Sequence, residues 1–137
     1  MLYLLDTNIV SELAKPKPHL RVVQSFAEKQ ASIAIATITL HEIRFGIDRT
    51  PPSKRRDHLE SFWQTVVVYI QNLPYSSEAA IWHAEERARL MAIGKPSAYA
   101  DGQIAAIAVC NNLTLVTANT QDFAPFNRLQ LENWFNA

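Results

Sequence analysis

The chain has 137 residues, 48% of them hydrophobic and 19% charged, and its 13 Lys+Arg balance 13 Asp+Glu to a formal net charge of zero. That composition excludes intrinsic disorder and argues against a protein that coats nucleic acid by bulk positive charge, while leaving room for a local phosphate site. One domain over residues 1–137 is expected, and it needs no disulfide from its lone Cys110, because a chain near 150 residues buries roughly 68–70% of its unfolded surface. The apolar run 1–5 is cut at Asp6, far short of a signal or membrane-spanning segment, so a cytoplasmic protein with no membrane partner is expected.

Tyr3-Leu4-Leu5 reads as a short buried strand, and Asp6-Thr7-Asn8 then favour a turn and the cap of a helix carrying Ile9, Val10 and Leu13. Lys15-Pro16-Lys17-Pro18 stops that helix, since proline lacks an N–H and disfavours helical geometry before it. Val22, Val23, Phe26 and Ala27 mark a second helix, and residues 32–37, with Ile33 and Ile35, a second strand. Thr39-Leu40-His41-Glu42 opens the next helix, which carries Ile43 and Ile47 and has Gly46 near its end. Residues 50–57 hold two prolines and Lys54-Arg55-Arg56, an exposed loop entering a helix with Leu59, Phe62, Trp63, Val66, Val67 and Ile70 at helical spacing. The β-branched run Val66-Val67-Val68 leaves the far end of that helix open between helix and a strand toward Leu73.

Ser76-Ser77-Glu78 caps a helix with Ile81, Ala84, Ala88 and Met91 inside it and Gly94 just beyond. Ser97 caps another through Ile104, Ile107 and Ala108, ended by Asn111-Asn112. Residues 113–117 form the clearest strand, and 129–131 one more. Strands thus alternate with helices and no hairpin signal intervenes, which predicts an α/β fold with a mainly parallel sheet of four to five strands covered on both faces.

Ligands of open parallel sheets bind outside the carboxyl ends of the strands, where strand order reverses. Asp6 follows the first strand, Glu42 is expected in the first turn after the second, Asp101 precedes the apolar run of a late helix, and Asn119 and Asp122 follow the strand at 113–117. Each has an ordinary explanation. Asp6 serves as an N-cap, Glu42 forms a capping box with Thr39, Asp101 complements a helix dipole, and Asn119 and Asp122 satisfy turns. Together these explanations do not say why the acids gather at one edge, where carboxylates repel unless a proton or cation lies between them. The fitting cation is Mg²⁺ or Mn²⁺, which take oxygen ligands. Zinc is disfavoured because Cys110 is alone and His19, His41, His58 and His83 form no closely spaced pair; His41 reads as a helix-surface residue.

Leu4-Leu5-Asp6-Thr7-Asn8, Thr37-Ile38-Thr39-Leu40-His41-Glu42 with Gly46, Asp101-Gly102-Gln103-Ile104-Ala105-Ala106 and Leu115-Val116-Thr117-Ala118-Asn119 with Asp122-Phe123 resemble the ordered motifs of PIN-domain proteins. The match is nearest to the VapC-type toxins of bacterial toxin–antitoxin pairs and extends from residue 1 to about residue 134. The resemblance implies a three-layer α/β/α sandwich and Mg²⁺- or Mn²⁺-dependent endoribonuclease activity, with transfer RNA among the substrates of relatives. Carried over by position, it makes Asp6, Glu42 and Asp101 metal ligands and places Asn119 at the family's fourth acidic position, where an amide brings no charge and puts a tightly bound second metal in doubt. Thr7, Asn8, Thr117 and Asp122 become supporting groups. The expected chemistry is metal-assisted hydrolysis of a phosphodiester.

An acidic pocket repels phosphate, so RNA needs cations nearby. Arg44, Arg49, Lys54, Arg55 and Arg56 form the densest basic stretch, with Arg44 and Lys54-Arg55-Arg56 as RNA-binding candidates and Arg87, Arg89 and Lys95 as a second group. The resemblance further implies a homodimer and a cognate VapB-type antitoxin that blocks the pocket and makes the DNA contacts, so that DNA is reached only indirectly. Two other classes fit less well. A haloacid-dehalogenase-type phosphatase wants an Asp where Asn8 stands, and a receiver module wants a Lys after a late strand. A structure-specific DNA nuclease and a PIN-like module without activity are the remaining alternatives.

Overall fold

A computed structural model describes residues 2–136. Five strands, β1 (Tyr3–Leu5), β2 (Ile33–Ala36), β3 (Gln71–Leu73), β4 (Thr114–Val116) and β5 (Leu131–Glu132), form one sheet in the order β3-β2-β1-β4-β5. Every neighbouring pair is parallel, with Tyr3 opposite both Ile33 and Thr114, and Leu4 opposite both Ala34 and Leu115. The strand order reverses at β1, so the crevice between the carboxyl ends of β1 and β4 is the expected place for a site.

Among the described residues seven α-helices cover the sheet: α1 (Thr7–Leu13), α2 (Leu20–Lys29), α3 (Thr37–Asp48), α4 (Lys54–Thr65), α5 (Ser77–Ala92), α6 (Tyr99–Cys110) and α7 (Thr120–Phe123). Alternate strand residues face opposite sides. Leu4, Ala34, Ala36 and Leu115 pack with Leu90 of α5 and Ile104 and Ile107 of α6, while Leu5, Ile33, Ile35 and Val116 pack with Ile9 and Val10 of α1, Val22 of α2 and the half-buried Phe62 and Trp63 of α4. This is the three-layer sandwich that the resemblance implied. Among the described residues no helix is long and apolar enough to cross a membrane.

The ends of the helices follow local chemistry. Ser53 and Ser76 cap α4 and α5 by accepting from the Arg56 and Ala79 amides. Gly94, at φ 73°, closes α5: its N–H donates to Met91 and that of Lys95 to Leu90, satisfying carbonyls the helix leaves free. Asn112, at φ 56°, closes α6 in the same way through the Asn112 and Leu113 amides. The expected stop at Asn111-Asn112 thus has a defined geometry.

Four expectations need correction. The second strand ends at Ala36 and α3 starts at Thr37, so Thr39 is a wholly buried residue inside the helix, Ala36 is the cap, and Glu42 sits in the second turn with no capping box. Lys54-Arg55-Arg56 belong to the first turn of α4, not to a loop, because Ser53 caps the helix right after the prolines. The buried stripe of α5 is Ala79, His83, Glu86 and Leu90, whereas Ile81 and Met91 are 62% and 61% exposed. The cap of α6 is Ala98 rather than Ser97. The open end of α4 resolves as a short 3₁₀ turn at Val67–Tyr69 leading into β3.

Candidate active site at the carboxyl edge of the sheet

Asp6 emerges from β1 as the N-cap of α1 and is 6% exposed. Its Oδ1 accepts from the Thr7 amide at 2.8 Å, and its Oδ2 from the Asn8 side-chain amide at 3.0 Å and the Thr117 hydroxyl at 2.9 Å. Thr117 stands at the end of β4, so this bond ties the two strands together at the switch point. Thr117 Oγ1 in turn accepts from Asn8 at 3.3 Å and from the Asn119 amide at 3.0 Å, while Asn8 Oδ1 accepts from the Ala118 amide at 3.0 Å. An ionised carboxylate has about four acceptor sites. Three donors therefore fix the Asp6 carboxylate and leave Oδ1 able to accept once more.

The other acids arrive on helices that begin at this edge. Asp101 lies in the first turn of α6 and Glu42 in the second turn of α3, and the Thr7 hydroxyl of α1 donates to that of Thr39 in α3 at 3.5 Å. Burial raises the Asp101 carboxyl above its ordinary value, followed by the charges of Asp6, Asp122 and Glu42. Burial and then Asp6 raise Glu42, with His41 in partial opposition. Burial raises Asp6 as well, against its three hydrogen bonds and with a smaller push from Asp122. The acids thus feel one another's charge, and among the described residues none of Asp6, Glu42 and Asp101 pairs with a lysine or arginine.

Among the described residues no three His, Cys, Asp or Glu side chains are already arranged as a group that could hold a metal ion. A cage of that kind suits zinc or calcium. Mg²⁺ keeps several waters and is held by one or two carboxylates plus substrate phosphates. The donor set here, hard oxygens with mutual repulsion and one lone pair of Asp6 to spare, fits such an open site. Asn119 is the N-cap residue of α7 but makes no capping bond through its side chain, and Asp122 sits in the first turn of that helix; both are exposed at the same edge.

The basic candidates do not gather with the acids. Arg44 donates to Asp48 Oδ1 at 2.7 Å and to Glu60, and lies over the Trp63 ring at 5.0 Å. Arg56 donates to the Thr50 carbonyl at 2.9 Å, which ties it to the end of α3. Lys54 and Arg55 are exposed and line a groove between α1, α3 and α4. In the second group, Arg89 forms a fork on Glu86 at 2.7 and 2.9 Å, a structural role.

Sequence reasoning missed the support beneath Asp101. The ring of His83, 2% exposed, packs directly against Gly102, and a Cβ there would lie 2.5 Å from His83 Cδ2 and 3.0 Å from Cε1. The Tyr75 hydroxyl is 2.7 Å from His83 Nδ1, and the Tyr99 ring lies 4.9 Å from the imidazole. Gly102, directly after Asp101, was the available signal; nothing about His83 in the sequence points to it.

A model of the PIN domain matches residues 3–129. Ribonuclease VapC2 of Rickettsia felis is 32% identical over 136 residues, covering 98% of each chain. The tRNA(fMet)-specific endonuclease VapC of Shigella flexneri is 32% identical over 133 residues, covering 96% of this chain and 97% of its own. Among solved structures, FitAcB from Neisseria gonorrhoeae superposes with a TM-score of 0.89 at 28% identity, covering 99% of this chain and 100% of that one. VapBC2 from Rickettsia felis, bound to a DNA fragment from its promoter, gives 0.84 at 28% identity, covering 98% and 99%. With its ordered acids at the switch point and these relatives aligned from end to end, the chain belongs to the PIN-domain family as a VapC-type member.

Proposed function

We propose that the protein is the toxin of a type II toxin–antitoxin pair and cuts cellular RNA by hydrolysis of a phosphodiester with the aid of Mg²⁺ or Mn²⁺. The observation that carries this reading is Asp6, pinned by three donors between β1 and β4 and electrostatically linked to Glu42 and Asp101. Asp6, Asp101 and Glu42 would hold the ion, with Asn119, exposed at the same edge, as the fourth candidate. When bound, such an ion supplies Lewis acidity at a phosphate oxygen. The chain's own residues set the geometry: Thr117 and Asn8 orient Asp6, and the start of α6 presents Asp101. The Shigella flexneri relative is named for initiator transfer RNA, which makes transfer RNA the first substrate to try.

A VapB-type antitoxin is the proposed partner, covering the acidic edge and carrying the DNA contacts; the structural neighbours include VapBC complexes bound to DNA. The outward stripe of α5, Ile81, Ala84, Ala88 and Met91, is the proposed homodimer face, and a monomer mass by light scattering would remove that part of the reading. The activity is tested by incubating the protein with total RNA in Mg²⁺ or EDTA. Asp6→Asn and Asp101→Asn should each lower Mg²⁺-dependent cleavage at least about 100-fold with unchanged circular dichroism. Full activity in both variants would overturn the assignment.

A further inference from the structure

The outer face of α3 carries a feature that neither the core nor the acidic site uses. His41, Phe45 and Arg49 follow one another at every fourth residue, a step of roughly 6 Å along a helix. The His41 and Phe45 rings are nearly parallel, 8° apart in plane with centroids 6.2 Å apart, and the Arg49 guanidinium lies 5.5 Å from the Phe45 centroid. Phe45 is 56% exposed and belongs to neither hydrophobic cluster. The ladder borders a groove of about 1000 Å³ that starts at Thr7 and Glu42, on the acidic edge, and extends to Lys54 and Arg55. Among the described residues Arg49, Lys54 and Arg55 form no salt bridge, while the neighbouring Arg44 and Arg56 are committed to Asp48 and Glu60.

We infer that this ladder is a stacking platform for an unpaired base of the RNA strand next to the cleaved phosphate, with Arg49, Lys54 and Arg55 meeting the phosphates beyond it. The inference rests on the reading that the chain acts on RNA. A flat aromatic face flanked by a guanidinium accepts any base, because every base has a π-face, and the cations supply attraction without sequence preference. Charge sets the direction. The carboxylate end of the groove repels phosphate and the α4 end attracts it, so the strand is held at the cationic end and on Phe45 while one phosphate is presented to Asp6 and Asp101. A protein partner in the same groove is the rival occupant; the unpaired cations on the α4 end favour the polyanion.

The test measures binding of a fluorescently labelled, unstructured single-stranded RNA in EDTA by anisotropy, with a copy of that strand carrying abasic residues as the control. Phe45→Ala should weaken binding of the RNA about tenfold, Phe45→Trp should preserve it, and the abasic strand should bind both proteins equally weakly. Phe45 is exposed, so the variant keeps its fold, which a thermal melt checks. Equal RNA binding by Phe45→Ala and the parent overturns the platform, as does the same loss on the abasic strand, or a loss confined to binding of an antitoxin peptide. Asp6→Asn separates the two readings. If the parent and Asp6→Asn both bind RNA in a base-dependent way but the parent cleaves none, the platform stands and the nuclease reading falls; if the parent cleaves RNA while Phe45 is neutral in binding, the reverse holds.

Discussion

The α5–α6 wing and the α3–α4 wing both deliver an acid to the same edge, but they hold it differently. α6 is buried from Gly102 and Ile104 through Val109, and its first turn lies against a histidine that is itself enclosed. In α3 only Thr39 and Ile47 are buried, and its outer face opens onto the groove. Asp101 is therefore fixed by packing around its helix, whereas Glu42 rides on a helix with one free side. A closed wing suits a group that must stay in place; an open one suits a surface that meets a long ligand. The same sheet edge thus joins a closed wing to an open one.

The largest effect expected to break this contrast is at Gly102. An alanine in a helix interior is ordinarily better than glycine by about 1 kcal/mol. Here the added methyl falls on the His83 ring, and overpacking of this kind costs about 1–3 kcal/mol, so the sign reverses. Gly102→Ala should destabilise the protein in urea melts and His83→Ala should do so on its own by emptying the site. The double variant should recover part of the loss, with a coupling of about 1 kcal/mol or more. Additive losses would show that the ring is free to move aside and that the wing is no more rigid than its counterpart.

The division between what the sequence disclosed and what it concealed follows the same line. The positions of Asp6 and Asp101 were readable because one directly follows a strand and the other lies in the first turn of a helix, where chain order dictates position, whereas Thr117 entered only through the resemblance. Glu42 lies one turn later in its helix than the sequence places it, since Thr39 resembles a cap and only tertiary packing shows it buried. On α5, Ile81 and Met91 have the spacing and hydrophobicity of a core stripe yet face outward, while Glu86 takes the inside with Arg89 and the Asn127 amide as partners and His83 with Tyr75 on Nδ1 and, among the described residues, no partner on its buried Nε2. Polar residues that are satisfied by distant partners give no local sign of burial. The His41, Phe45 and Arg49 ladder was hidden for the opposite reason, because spacing at every fourth residue does not reveal which face is solvent.

Glu86 provides the second, smaller test of the closed wing. Its carboxylate accepts the Arg89 fork and the Asn127 amide at 2.7 Å, which joins α5 to the segment after α7. Arg89 holds the carboxyl below its ordinary value, opposed by burial and aided by the Asn127 N–H. A depressed folded pKa adds stability that is complete above the unfolded value of about 4.3 and is lost as pH falls through the folded value. Glu86→Gln should therefore cost about 2 kcal/mol at neutral pH, and the gap to the parent should close in strong acid. A gap that does not change with pH would show that the fork contributes shape rather than charge.

The smallest effect has the opposite sign and lies at the acidic edge itself. Asp101 is raised by burial, then by Asp6, Asp122 and Glu42, so its ionisation is harder in the folded chain than in the unfolded one. Such a carboxylate subtracts stability above its folded pKa, and the penalty fades as pH falls through that raised value. Because the group is partly solvated, Asp101→Asn should raise metal-free stability at neutral pH by less than about 1 kcal/mol, and the gain should vanish in acid. Added Mg²⁺ should raise the melting temperature of the parent and have less effect on the variant, since a ligand stabilises only the state that binds it. If Asp101→Asn instead destabilises the protein at neutral pH, its carboxylate is a structural partner of α6 like Glu86 in α5, and the edge belongs to the closed wing after all.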